Sequence, residues 1–178
     1  MQDQAQLYSA ISAYGSWAAV GCALLIVWLQ NRSAKRLIGL QLFIQIAAQY
    51  DSEEMRRIRA RMAKRLLDDG KIPELDDTLL VHYENVAILF RRKLLDRELV
   101  WNIYGHDVPR YWQAVRHYVE YSRQKALDPA LYEEFENFAK KLLQFKDSPL
   151  GTRIAQHELS PDDIHMFLRD ESLRGAEH

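Results

Sequence analysis

The chain has 178 residues, of which 48% are apolar and 28% charged, with 24 Lys and Arg against 25 Asp and Glu. A single Cys excludes a disulfide framework and a Cys-based zinc site, and seven Gly with five Pro exclude a collagen-like or low-complexity chain. The apolar fraction excludes a disordered chain, and the near-zero net charge argues against a general nucleic-acid binder. A chain of this length and composition has enough apolar surface to bury a core.

The N-terminal stretch differs from this average, because 28 uncharged residues lie between Asp3 and Arg32. Its central part, 11–29, is mostly Ala, Val, Leu, Ile and Trp and has no polar face, unlike a helix of a soluble protein. A helix of about 20 residues crosses a hydrocarbon layer of about 30 Å. We therefore predict a transmembrane helix at 8–30, after a short extracytoplasmic segment at 1–7.

Basic residues set the expected orientation of this helix. None precedes the apolar stretch, which disfavours a cleaved signal peptide, and Arg32, Lys35 and Arg36 follow it directly. Because basic flanks stay on the cytoplasmic side, we expect a single-pass protein of the inner (plasma) membrane with its N-terminus outside. The only Cys, Cys22, lies inside the predicted span.

Small residues recur four apart within the predicted span, at Gly15, Ala19 and Ala23. This spacing places them on one helix face, where they permit close approach of a second helix. The pattern predicts either self-association through the span or a solitary helix.

The rest of the chain shows helical periodicity, and no alternation long enough for a strand. Segment 37–50 is too apolar for a surface helix and too short for a second span, so it is either a core helix or a helix in the lipid interface. Later helix starts are predicted at 51–54, 76–78, 96, 107–109, 128–129 and 160–163. The predicted fold is all-α, with a cytoplasmic domain of five or six helices at 31–146. A polar, acidic tail with one short helix follows at 147–178.

A set of short motifs resembles a bacterial family known only as a domain of unknown function. The motifs are Tyr83-Glu84-Asn85-Val86-Ala87-Ile88-Leu89, Leu94-Leu95-Asp96, Val100-Trp101, Tyr104-Gly105 and Tyr111-Trp112. The resemblance covers about half of the chain and implies an N-terminal membrane helix before a small helical domain. It supplies no activity, ligand or catalytic residue. One departure is Lys93, where the family pattern has Gly before the Leu-Leu-Asp turn.

Candidate chemical groups are few. Glu84 is the one carboxylate in an otherwise apolar helix, and Arg91 lies two turns further on, so we predict a buried Glu84–Arg91 pair. A catalytic Glu84, acting with His82 or His106, is the alternative. None of the six His shows the four-residue spacing of a helical zinc site, and we expect no metal, no cofactor and no enzymatic activity.

Two further features concern binding. Segment 32–66 has nine basic and three acidic residues, a net charge of +6. Its basic residues form a solvated surface, meet anionic lipid or bind a nucleotide or nucleic acid. The predicted anion or lipid contacts are Arg32, Lys35, Arg36, Arg56, Arg57, Arg61 and Lys64.

Six aromatic residues lie between Trp101 and Tyr121. Most of them are expected to belong to the core, and any ring left on the surface would form a partner-binding patch.

These patterns favour a membrane-anchored, non-enzymatic interaction module at the cytoplasmic face of the membrane. Its expected partners are the lipid bilayer and either an unidentified protein or a second copy of the chain, whereas nucleic acid is disfavoured. The alternative is a ligand-gated membrane effector or sensor that binds a nucleotide or other anion through the Arg-rich helix.

Overall fold

The computed structural model describes the backbone of residues 2–68, 75–144 and 159–174, and the side chains of these residues apart from 2–21, 35 and 36. All regular structure within these ranges is α-helical, which confirms the predicted fold class. The helices are α1 (Gln2–Tyr50), α2 (Glu53–Asp68), α3 (Thr78–Arg91), α4 (Arg97–Tyr104), α5 (Asp107–Ala126), α6 (Glu133–Leu143) and α7 (Pro161–Arg174).

The chain divides into two compact units, 1–39 and 40–178, and the boundary between them lies inside α1. In the first unit, six consecutive apolar side chains, 24–29, are exposed by 48% to 65%. The guanidinium carbon of Arg32 lies 5.6 Å from the ring centroid of Trp28, which is one of these six exposed residues. No helix in the described ranges is both long and apolar enough to cross a membrane. Much of the span predicted at 8–30 has side chains outside the described set.

The second unit buries an aromatic core between its helices. Helix α2 packs against α3 and α7, α3 against α6, and α5 against α4, α6 and α7. Among the described residues, the five largest fully buried side chains are aromatic: Tyr83, Tyr104, Tyr111, Phe135 and Phe138. Segment 40–50 contributes Phe43 and Tyr50, whereas Leu40 and Ile44 of the same segment are exposed.

Helix α2 follows the predicted pattern at its start and along its apolar stripe. The Ser52 hydroxyl accepts a hydrogen bond from the Met55 N–H at 3.2 Å, which caps the first turn. Met55, Ile58 and Met62 are buried. The helix also buries Arg59, which the sequence analysis placed among solvated basic residues.

The short helix α4 is bounded by two specific signals. The Asp96 carboxylate accepts hydrogen bonds from the N–H groups of Glu98 at 3.0 Å and Leu99 at 3.1 Å, as the predicted cap requires. At its end, a Cβ at Gly105 would collide with the carbonyl oxygen of Trp101. A glycine is therefore needed at this close approach.

The turn before α4 contains Lys93 in a left-handed backbone conformation, with φ 58°. Glycine adopts this conformation without steric cost, whereas other residues pay for it. The turn thus keeps the backbone shape that the family resemblance implied for a glycine, although a lysine occupies the position.

The start of α6 differs from the prediction at 128–129. Asp128 accepts a hydrogen bond from the Ala130 N–H at 2.9 Å, which forms a turn instead of a helix cap. Tyr132 then takes a left-handed conformation with φ 58°, and the helix begins only at Glu133. An Asp-Pro pair signals a turn as readily as a helix start, and here the turn is formed.

The helix start predicted at 160–163 is confirmed, but the helix, α7, is longer than expected and packs against the core instead of lying in a polar tail. Ser160 and Asp163 form reciprocal backbone-to-side-chain hydrogen bonds, each 3.1 Å long, that begin a 14-residue helix. Phe167 and Leu168 are buried, and the Phe167 ring packs edge-on against Tyr111 at 5.1 Å. Residues 161–174 are therefore part of the core.

Candidate functional site

A buried group of polar side chains, here called the Arg59 network, joins several helices of the second unit. It comprises Tyr50 of α1, Arg59 of α2, Tyr83 of α3, Asp107 and Tyr111 of α5, and Glu171 of α7. Its charges are one guanidinium and two carboxylates.

Arg59 lies at the centre of the network and is 7% exposed. Its Nη1 is 3.6 Å from Asp107 Oδ2 and its Nε is 3.6 Å from Glu171 Oε2, so both contacts are ion pairs without close hydrogen bonds. The guanidinium carbon also lies 4.2 Å from the ring centroid of Tyr50, which is cation–π geometry. Burial opposes the charged form of Arg59, but its interactions with Tyr50 and Glu171 outweigh burial and raise its pKa.

Tyr50 connects this charge cluster to the aromatic core. Its hydroxyl donates to Asp107 Oδ2 at 2.6 Å and lies 3.0 Å from the Tyr83 hydroxyl. Burial, followed by the Asp107 charge, raises the pKa of Tyr50 well above its ordinary value. Burial favours the neutral form of Asp107, but hydrogen bonds from His106 and Tyr50 lower its pKa overall. Tyr50 is therefore a neutral donor to an ionised acceptor.

Glu171 completes the network from α7. Its Oε2 accepts a hydrogen bond from the Tyr111 hydroxyl at 3.1 Å, and its Oε1 lies 3.1 Å from Nη1 of Arg174. Each carboxylate of the network thus has a hydroxyl donor and Arg59 as a cationic neighbour. A network with these internal partners holds helices in a fixed arrangement.

His82 lies beside the network but is not charged at neutral pH. Its Nε2 is 3.3 Å from the Tyr104 hydroxyl, and its ring stacks on Tyr50 at 5.6 Å. Burial, with a smaller contribution from the charge of Arg59, lowers the pKa of His82 to about 4. His82 also lines a cavity of about 300 Å³ with Gln49, Asp77 and Asn85, but Glu84 is not among its lining residues.

The predicted Glu84–Arg91 pair is wrong. The two carboxylate oxygens of Glu84 accept the backbone N–H groups of Glu134 at 3.3 Å and Phe135 at 2.6 Å, at the start of α6. Arg91 instead pairs with Glu134, with its Nε 2.9 Å from Oε1. Glu84 reaches across to α6 because a helix start offers unpaired N–H groups and a positive dipole end, whereas Arg91 reaches α6 through the Glu134 carboxylate. Burial raises the pKa of Glu84, although these N–H groups act in the opposite direction.

We expect Glu84→Ala to lower the free energy of unfolding by about 1–2 kcal/mol, because it removes a side-chain cap from α6. Glu84→Gln keeps one acceptor oxygen, so its loss should be smaller. Glu120→Ala is the matched control, since Glu120 is an exposed partner of Arg116 and its removal should cost under about 0.5 kcal/mol. Urea denaturation of the three variants measures the difference, and equal losses for Glu84→Ala and Glu120→Ala would contradict the capping role.

The predicted anion contacts that the structure describes differ in their partners. Arg57 pairs with Glu53 on the next turn, and Nη2 of Arg61 lies 3.7 Å from Asp76. Arg32, Arg56 and Lys64 are exposed. The side chains of Lys35 and Arg36 lie outside the described set, as do those of Gly15 and Ala19 from the predicted packing face, whereas Ala23 is exposed.

A second site, here called the basic pocket, was missed by the sequence analysis. It is a cavity of about 490 Å³ between the ends of α3 and α6 and the start of α4. Its lining residues are Phe90, Arg91, Lys93, Leu95, Arg97, Lys141, Leu142 and Gln144. Basic doublets at the ends of two helices, Arg91-Arg92 and Lys140-Lys141, were the available sequence signal.

Within 2–68, 75–144 and 159–174, no three His, Cys, Asp or Glu side chains are grouped closely enough to hold a metal ion. The comparison with curated proteins returned no match. The comparison with solved structures returned none either. Residues 17–142 match a protein family, and this range includes Arg59, Asp107, Glu84 and most of the basic pocket. The chain therefore belongs to the family described as Domain of unknown function (DUF4760).

Proposed function

We propose that the protein is a membrane-anchored, non-enzymatic helical interaction module. In this proposal a transmembrane helix at 8–30 holds the chain in the inner membrane, and the helical domain faces the cytoplasm. The observation that carries the proposal is the exposure of every side chain from Leu24 to Leu29.

Six consecutive residues cover all faces of a helix, since one turn takes 3.6 residues. Apolar exposure on all faces is unfavourable in water, because burying one such side chain is worth about 1.5–3 kcal/mol. A protein partner commonly covers one face of a helix, whereas lipid surrounds it. The 28 uncharged residues between Asp3 and Arg32 would extend about 42 Å as a helix, which exceeds the hydrocarbon thickness of about 30 Å.

The flank of this segment supports the proposed orientation. Trp28 and Arg32 lie together at its C-terminal end, a combination typical of the interface between lipid and water. The basic residues are all C-terminal to the segment, so the helical domain is assigned to the cytoplasmic side.

Two of the groups considered for acid–base chemistry have structural partners, which supports a non-enzymatic role. Glu84 accepts two N–H groups at the start of α6, and His82 contacts the Tyr104 hydroxyl. A catalytic carboxylate or imidazole needs an atom that substrate can reach, whereas both oxygens of Glu84 accept protein N–H groups and His82 is 7% exposed.

Membrane fractionation of the full chain tests the anchor. We expect the unaltered protein to remain in the membrane pellet after an alkaline carbonate wash. Leu24→Asp with Leu25→Asp should move most of the protein out of that pellet, because each carboxylate in a span costs about 2.5–3.5 kcal/mol. Leu127→Asp with Leu173→Asp is the matched control, since both leucines are exposed but lie outside 8–30. Complete extraction of the unaltered protein by carbonate would contradict the anchor.

The orientation has its own readout in the same membranes. A reporter fused after His178 should be active only in the cytoplasm, and replacing Arg32, Lys35 and Arg36 with Gln should weaken that preference. A periplasmic C-terminus in the unaltered protein would reverse the assignment while leaving the anchor intact.

A further inference from the structure

The basic pocket has an uneven chemical composition. Four of its lining side chains are cationic, three are apolar and none is acidic. Arg91 pairs with Glu134 outside the lining. Neither Lys93 nor Lys141 forms an ion pair with a residue in the described ranges. The pocket therefore presents positive charge that the described part of the chain only partly balances.

Helix dipoles explain only part of this charge. Arg91 and Lys141 lie in the last turns of α3 and α6, where a cation is favoured by the helix dipole. Arg97, by contrast, is the first residue of α4, where the same dipole disfavours a cation.

Lys93 also occupies an unfavourable position. Its backbone φ of 58° lies in the left-handed region, which a non-glycine residue adopts only at a steric cost. The Lys93 side chain lines the cavity, where its ammonium group can meet an anion.

The volume of the basic pocket and its apolar lining residues indicate that its ligand is larger than a simple anion. The cavity of about 490 Å³ falls within the range of small-molecule sites, about 300–1,000 Å³, and is several times larger than a single anionic group requires. Its apolar lining consists of the half-buried Phe90 and the small exposed parts of the buried Leu95 and Leu142. An anion alone would leave this surface and most of the volume unfilled.

We propose that the basic pocket binds an anionic amphiphile, with a phosphate-type headgroup at Lys93, Arg97 and Lys141 and an apolar chain against Phe90, Leu95 and Leu142. The shared recognition chemistry is that of a phosphate, which is supplied either by a lipid headgroup or by free phosphate, and the apolar floor favours the lipid. This site is separate from the proposed span and does not depend on it.

The test uses the full chain in an uncharged maltoside detergent, with dodecyl phosphate added as a defined fraction of the micelle. We expect saturable binding of one dodecyl phosphate per chain, measured by calorimetry, and a rise in melting temperature. Inorganic phosphate is the second probe, and it should bind at least about tenfold more weakly because it cannot fill the apolar part of the cavity.

Lys93→Gly is the decisive variant. It removes a cation and also relieves the left-handed strain, so stability without ligand should stay equal or rise while affinity for dodecyl phosphate falls. We expect about a tenfold loss for Lys93→Gly and a further loss when Lys141→Gln is added. Lys140→Gln is the matched control, because Lys140 is the neighbouring residue, pairs with Glu136 and does not line the pocket.

Each alternative outcome counts against the proposal. Equal affinity of Lys93→Gly with Lys141→Gln and of Lys140→Gln would show that dodecyl phosphate meets only the general charge of the protein. Affinity for inorganic phosphate equal to that for dodecyl phosphate would overturn the amphiphilic occupant in favour of a free anion. Non-saturable binding would overturn the site altogether. Carbonate extraction of the same variants reports on the anchor independently, because none of these substitutions lies in 8–30.

Discussion

We expect Arg59→Met to lower the free energy of unfolding by about 3–5 kcal/mol, the usual cost of removing one member of a buried ion pair. The methionine matches much of the side-chain volume, so the loss comes from charge rather than from a cavity. Asp107 would keep Tyr50 and His106 as partners, but Glu171, which is 3% exposed, would retain only Tyr111 and the largely exposed Arg174.

Arg57→Met provides the matched control for this measurement. Arg57 is two residues away on the same helix, is exposed and pairs only with Glu53. Its replacement should change the free energy of unfolding by less than about 0.5 kcal/mol. Urea denaturation of the two variants, followed by the aromatic circular dichroism signal, gives the comparison. A loss for Arg59→Met no greater than that for Arg57→Met would show that the ion pairs contribute nothing net.

A second substitution distinguishes the loss of ion-pair attraction from the cost of leaving the Glu171 carboxylate buried without Arg59. Adding Glu171→Gln to Arg59→Met removes the unpaired carboxylate and keeps an acceptor for the Tyr111 hydroxyl. We expect the double variant to be more stable than the sum of the single losses implies, because residues in one network are coupled by about 0.5–3 kcal/mol. Additive losses would indicate that Arg59 stabilises the fold through Asp107 and Tyr50 instead.

The Arg59 network also explains why α7 belongs to the core. Glu171 is buried on α7, where its own helix offers only the exposed Arg174, and it meets the buried cation Arg59 only when α7 packs on α2. Phe167 and Leu168 supply the apolar part of the same contact. Charge and packing therefore specify the same arrangement, and faster amide exchange in 161–174 should accompany the loss of Arg59.

The helical elements were predictable because their signals are local. The stripe of Met55, Ile58 and Met62 repeats at the helical period, and the side chain of Asp96 caps the helix that immediately follows it. Such patterns involve residues within one or two turns of each other, so the sequence displays them directly. The start of α6 was misplaced because the signal at Asp128 is shared by turns and helix starts.

The buried polar groups were not predictable, since their partners lie far away along the chain. Arg59 sits in a run of basic residues, and its burial depends on Asp107 and Glu171, 48 and 112 positions further on. Glu84 was correctly singled out as an unusual carboxylate, but periodicity suggested a partner on its own helix. Its actual partners are backbone N–H groups of α6, about 50 residues away. The type of a side chain shows that a buried polar group needs a partner, but it does not show where along the chain that partner lies.

The basic pocket was also not predictable, because its lining residues are separated along the chain. Its cations come from three helices and a turn, and no two neighbouring positions in the sequence line it together except Phe90-Arg91 and Lys141-Leu142. Only Lys93 carried a sequence-level anomaly, as a lysine where the family resemblance implied glycine. The left-handed φ at this residue gives that anomaly a physical cost.

The second large effect is expected at Trp112, whose side chain is a core residue of α5 with 8% exposure. Its ring packs edge-on against Phe135 of α6, with centroids 5.4 Å apart and planes at 88°. We expect Trp112→Ala to lower the free energy of unfolding by about 3–5 kcal/mol, because it removes this contact and leaves a cavity between the two helices.

Two companion variants identify the origin of that loss. Trp112→Phe keeps an aromatic edge for Phe135 and fills part of the space, so it should cost clearly less than Trp112→Ala. Tyr121→Ala, on the same helix but 44% exposed, should cost less than about 1 kcal/mol. Thermal and urea unfolding of the full chain in a mild detergent measure all three. An unchanged melting temperature for Trp112→Ala would place the ring outside the core, and the aromatic segment 101–121 would then gain weight as a surface for a protein partner.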